Sequence, residues 1–249
     1  MDGLPQKLKK DAIAEALIEV RYSCPDSAAV PELVVGRLAG FADWRSFDKV
    51  RLPFADIPPA IRAADPNLRY QPVLELHSTT ESRAAKIGPN VLSYHALAPY
   101  PGWTQFSAEI DKVIDFLFAE LPGFEATRIG FRYINLLTKP AHLIESVDAL
   151  EYSVTLGGEK LEGAQNLNYK RRVGDDHFIL VRVASPDFVS SPERREMNAL
   201  VDVDVFTPDE FKTSDIAKAK KWVADAHGFE KKEFFKLIPP RILDQLIEA

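Results

Sequence analysis

Two stretches of this chain alternate in side-chain character with period two, and they constrain the fold more than any other feature. AEALIEVRY (Ala14–Tyr22) puts Ala14, Ala16, Ile18, Val20 and Tyr22 on one side, and Glu15, Leu17, Glu19 and Arg21 on the other. The strand from Thr127 to Leu137 puts Arg128, Gly130 and Arg132 on one side, and Ile129, Phe131, Tyr133 and Asn135 on the other. Successive side chains of a strand point to opposite faces, so each stretch predicts a strand with one buried side.

The residues between them complete a unit. Pro25, Asp26 and Ser27 break the first strand, and the chain is then predicted helical to about Phe41, with Pro31 tolerated near the first turn. Five prolines between Phe47 and Pro72 forbid a long regular element, though a short helix fits at Pro59–Ala64. Val73–Ser78, Arg83–Gly88 and Val91–Leu97 read as three antiparallel strands, turned at TTES and GPN. In Thr104–Leu121 the residues Phe106, Ile110, Val113, Ile114, Leu117 and Phe118 recur at helical spacing. Strand, helix, strands, helix, strand is a ferredoxin-like βαββαβ plan with an added hairpin strand, both helices covering one face.

The remaining residues predict a second α+β half with antiparallel strands and C-terminal helices. Strands are expected at Leu150–Leu156, at Asn168–Val173 and His177–Val183 across the turn Gly174-Asp175-Asp176, and at Leu200–Phe206. Helices are expected at Ser214–His227 and at Phe234–Leu246, the latter interrupted at Pro239-Pro240. The class is α+β, with one half over 1–140 and the other over 141–249, packed as two units or as one continuous domain. Formal charge also changes there, from -1 over the first 140 residues to -5 over the rest.

Bulk properties narrow the function classes. A net charge of -6 opposes a non-specific nucleic-acid binder, which would normally be basic. Cys24 is the only cysteine, which excludes an intrachain disulfide and a multi-cysteine zinc site. The N-terminal stretch lacks a continuous apolar segment, so no secretory signal is expected. No run approaches the roughly 18 apolar residues of a membrane helix. A cytoplasmic protein without a membrane partner is the expectation.

In a ferredoxin-like sheet the first and last strands are neighbours, so Glu15, Glu19 and Arg21 should share the open face with Arg128 and Arg132. That face reads either as a salt-bridged surface or as a site for an anion, held by guanidinium forks. Gly130 leaves room above the backbone in both cases. Asp202 and Asp204 point the same way in VDVDVF and suit a solvated face better than a metal or acid–base pair. None of the five histidines shares the i, i+4 spacing of a metal helix, although His77 and His95 could meet across paired strands. Lys170, Arg171 and Arg172 beside the turn at Gly174 form a basic cluster that could touch phosphates, but Asp175 and Asp176 follow at once and favour a charged hairpin tip. Tyr94, Tyr100, Trp103 and Tyr133 offer aromatic surface near the APYPGW bend, as core or as pocket lining. No G-x-S-x-G, phosphate loop or G-x-G-x-x-G is present.

AIAEALIEVRY (Ala12–Tyr22), DIPPAIRAADPNLRYQP (Asp56–Pro72), KIGPNVLSYHALAPYPGW (Lys86–Trp103) and RIGFRYIN (Arg128–Asn135) carry a resemblance. In order and spacing they resemble a sporadically distributed bacterial family of uncharacterised proteins of about this length. The resemblance covers most of the first 140 residues, and more weakly the C-terminal helices. It implies a soluble bacterial protein, associated with mobile or defence-type gene neighbourhoods, and it brings no catalytic residues to carry over.

Three functions follow as expectations. The leading one is a non-catalytic binding or regulatory protein, with a protein partner, a second copy of itself or a small anionic partner. Its candidate residues are Arg128, Arg132, Glu19, Arg21, His95, Tyr94 and Trp103, with no metal and no cofactor. The second is an RNA-binding or RNA-processing protein of tandem ferredoxin-like type. The third is a small-substrate enzyme using Asp202, Asp204 or His95.

Overall fold

The computed structural model describes residues 5, 7–38, 40, 44, 46–78, 80–190 and 197–247. The chain is α+β and forms two compact units. The first comprises Met1–Ala16, Arg132–Phe206 and Ala224–Ala249, and the second Leu17–Phe131 and Thr207–Val223. The strands β1 (Ile13–Ser23) and β6 (Glu125–Leu137) and the helix α5 (Ile216–Leu237) each contribute to both.

In the second unit the strand order is β2 (Asp48–Arg51), β3 (Leu74–Ser78), β4 (Arg83–Gly88), β5 (Val91–Leu97), β1, β6. β2 to β5 are consecutive antiparallel pairs, with Leu76 opposite Ala85 and Ala85 opposite Tyr94. β1 and β6 are neighbours, as the ferredoxin-like plan requires. β2 was not expected: four residues of the proline-rich stretch pair with β3 before Pro53 ends them. The helices are α1 (Val30–Leu38), α2 (Pro59–Ala64) and α3 (Trp103–Glu120). The expected end of α1, near Phe41, lies outside the described residues.

The core of this unit is aromatic. Tyr94 and Phe106 are stacked at 5.8 Å, Phe106 and Phe131 lie at 6.2 Å, and Trp103 meets Phe131 edge-on at 5.9 Å. Phe106, Ile110, Val113, Ile114 and Leu117 form the buried stripe of α3, as their spacing predicts. Burying each such side chain stabilises the fold by about 1.5–3 kcal/mol.

In the first unit the order is β1, β6, β11 (Ala199–Phe206), β10 (His177–Ala184), β9 (Asn166–Gly174). β10 is antiparallel to both neighbours: Arg182 lies between Asn168 and Asp202, and Leu180 between Lys170 and Asp204. One face carries Ile179, Val181, Val183, Val201, Val203 and Val205, all buried. α5 packs on that side, where His177 meets Phe229 at 5.1 Å and Tyr133 meets His227 at 6.5 Å.

Two expectations for these residues fail. Leu150–Leu156 is not a strand: Val147–Ala149 is a turn of 3-10 helix, and only Thr155–Leu156 (β7) pairs, with Glu159–Lys160 (β8). Leu150 is instead a buried anchor at the end of that turn. The helix expected at Ser214–His227 runs on to Leu237, where a gap had been expected before Phe234. Ala226, Glu230 and Phe234 are among its buried positions, four residues apart, so a carboxylate in the stripe broke the apolar pattern. α4 (Lys139–His142) and α6 (Pro240–Leu246) complete the elements.

Candidate functional site

β1 and β6 do bring their charged residues together in the second unit. Arg128 donates from a terminal guanidinium nitrogen to Glu19 Oε1 at 2.9 Å, and Arg21 Nε donates to the same oxygen at 2.8 Å. The guanidinium of Arg21 also lies 4.8 Å from the ring centre of Tyr70. These side chains are about a quarter to a third exposed. The glycine between the arginines now has a reason. A Cβ on Gly130 would sit 2.7 Å from a terminal nitrogen of Arg128, which folds back over it.

Arg132, in the first unit, grips Asp202 with a two-pronged fork. Its Nε donates to Oδ1 at 2.8 Å and a terminal nitrogen donates to Oδ2 at 2.6 Å. The Asp202 carboxylate raises the guanidinium above its ordinary pKa, against an opposing effect of burial. Asp204 and Glu15 add to the same shift from further off. The solvated face expected for Asp202 is wrong, because its side chain is only 7% exposed. Arg128 and Arg132 are thus each engaged by a carboxylate.

The other candidates lie deeper. Tyr94 is completely buried in the aromatic core, which is incompatible with lining a pocket. Trp103 starts α3, half-buried, against Phe131. His95 is buried, and its Nε2 lies 2.7 Å from Ser93 Oγ. His77 and His95 both lie opposite Ala84, so one strand separates them and they share a face. Among the described residues no three His, Cys, Asp or Glu are grouped to hold a metal ion. No helix among them is long and apolar enough to cross a membrane.

The face that carries Arg132 continues onto β10 and β9. Alternation and register place Arg182, Leu180 and Phe178 there, with Lys170 and Arg172 beyond them. Lys170 Nζ lies 5.1 Å from the ring centre of Phe178 and 5.0 Å from that of Phe206. Those two rings are nearly parallel, with centroids 6.1 Å apart. Arg172 donates to the carbonyls of Gly174 and Asp175. Arg182 donates to Asn166 Oδ1 at 3.0 Å and to the Phe188 carbonyl at 2.9 Å. Arg171 points to the helix side instead and is paired with Glu233.

Sequence reasoning noticed Lys170 and Arg172 but missed Phe178, Arg182 and Phe206. The signal was present: Phe178 and Arg182 have one parity in HFILVRVA, and Phe206 has the parity of Asp202 and Asp204. Which strands sat side by side was the missing information. Towards the other end of β10 the same side is closed by an apolar cluster of Ala184, Val189, Met197 and Leu200, with Ile134 and Leu136 against it.

Fold and face together define an α+β protein with a charged, half-exposed sheet surface. No family model matches this chain, and no curated protein matches it.

Proposed function

We propose that this chain is a binding protein without catalytic chemistry of its own, and that the sheet face of its first unit takes an anionic partner. One observation carries the reading. Lys170, Arg172 and Arg182 stand on that face engaged by rings, a side-chain amide and backbone carbonyls, and by no carboxylate among the described residues. A cation held only by neutral groups keeps its charge available to an incoming anion, whereas a paired arginine first has to give up its carboxylate. Asp202, one of the carboxylates an enzyme could use, is already committed to the Arg132 fork. Asp204 on the same face and the overall charge of -6 hold the affinity down and favour a small or local anionic contact over a broad electrostatic one.

Fluorescence anisotropy with labelled inorganic polyphosphate tests the reading. Binding at low salt that is lost in the Lys170→Glu, Arg172→Glu, Arg182→Glu triple variant supports it. No binding at low salt, or equal binding by the triple variant, rejects it.

A further inference from the structure

We infer that the anionic partner of this face is a single-stranded nucleic acid, with bases stacked on Phe178 and Phe206 and phosphates on Lys170, Arg172 and Arg182. The inference rests on the binding reading above and adds the aromatic pair to it. Phe178 and Phe206 come from adjacent antiparallel strands, opposite each other in register, and both are half-buried. Their planes are within 20° of parallel and their centroids 6.1 Å apart. The two rings stack on each other, and a base would extend that stack. Base–aromatic stacking tolerates any sequence, because every base has a π-face.

Lys170 decides between this and a purely structural ring pair. Its ammonium lies about equally far from both ring centres, at 5.1 and 5.0 Å. Lys170 is long and exposed while both rings are half-buried, so a base would approach the pair from the lysine's side. A base entering there displaces the ammonium onto the adjoining phosphate, exchanging a cation–π contact for a charge–charge one. Arg172 lies opposite Phe178 and Arg182 lies four residues along β10 from it, so one cation stands across from that ring and another further along its strand. An acidic peptide would also satisfy these cations, but it brings nothing flat to the rings. Inorganic phosphate likewise leaves them unused.

The test compares labelled twelve-residue oligouridylate, oligothymidylate and a duplex of equal length with labelled polyphosphate, on the full chain. Both single strands should bind more tightly than the duplex, whose bases are not free to stack. A preference of the RNA over the DNA strand would place a contact on the 2′-hydroxyl. Three phosphate contacts give an affinity that falls roughly 20-fold between 50 and 200 mM salt. Phe178→Leu with Phe206→Leu keeps apolar volume and removes the π-faces. It should weaken oligouridylate binding about tenfold or more and leave polyphosphate binding unchanged. An unchanged thermal melt of the double variant separates this loss from misfolding. Polyphosphate binding with no preference for single strands, or with no effect of the leucine variant, overturns this inference and leaves the binding reading standing. Binding of no probe at all removes both.

Discussion

Arg132 and Asp202 face each other from adjacent strands through two near-parallel hydrogen bonds of 2.8 and 2.6 Å, with the carboxylate almost wholly buried. Removing the arginine alone strands a charge that has left water without a counterion. Arg132→Ala should therefore cost about 3 kcal/mol or more in urea unfolding. Arg132→Met with Asp202→Leu should recover most of it, because no unpaired charge remains. A loss below about 1 kcal/mol in the single variant would show that water reaches Asp202 and replaces the fork.

The Glu19–Arg128 pair should behave differently, since both side chains are about a quarter exposed. A double-mutant cycle is expected to give a coupling of about 0.2–1 kcal/mol. In a Gly130→Ala background that coupling should fall towards zero, because the new methyl takes the space of the Arg128 guanidinium. The arginine is flexible at that end, so Gly130→Ala itself should cost less than about 1 kcal/mol. An undiminished coupling would mean that the guanidinium reaches Glu19 by another path.

Glu230 sits in the buried stripe of α5, and burial pushes its carboxyl up to about 8 from 4.5. The unfolded chain releases this proton near pH 4.5 and the folded chain holds it to about 8. The stability linked to it is full below 4.5 and is lost as pH rises towards 8, at up to about 1.4 kcal/mol per pH unit. Glu230→Gln should raise the melting temperature at pH 8 and change it little near pH 4.5. An equal shift at both pH values would contradict a protonated Glu230.

His227 has the opposite sign. Burial lowers it to about 4 from 6.5, so the unfolded chain takes up a proton that the folded chain refuses. The stability this residue carries is full above 6.5 and is lost as pH falls towards 4. The two groups together predict a stability maximum on the acid side of neutrality. His227→Leu should flatten only the acid limb of the Tm–pH curve, and flattening of the alkaline limb would reassign the effect.

Phe131 is completely buried between Trp103 and Phe106. Phe131→Ala is expected to cost about 3–5 kcal/mol by guanidinium denaturation, since surrounding rings fill a cavity only in part. A cost under about 1.5 kcal/mol would mean that the unit repacks around the site.

Elements with a clean local period were legible before any coordinates. The buried faces of β1, β6 and α3 follow from which residues alternate or recur, because solvent exposure acts on each position separately. That Glu19 and Arg128 would meet followed from one further step, the neighbouring of first and last strands in a known topology. The continuous α5 was hidden because Glu230 interrupts the apolar pattern, and the burial that masks it also shifts its titration.

Pairing between distant strands is a different kind of fact. Nothing local to VDVDVF says that Asp202 finds Arg132, or that Phe206 finds Phe178 under Lys170. Those partners lie 70, 28 and 36 residues away in the chain, by their numbers in the sequence. Local alternation sets which side of a strand each residue takes. Register and strand order, which depend on the packing of every element at once, choose what stands beside it.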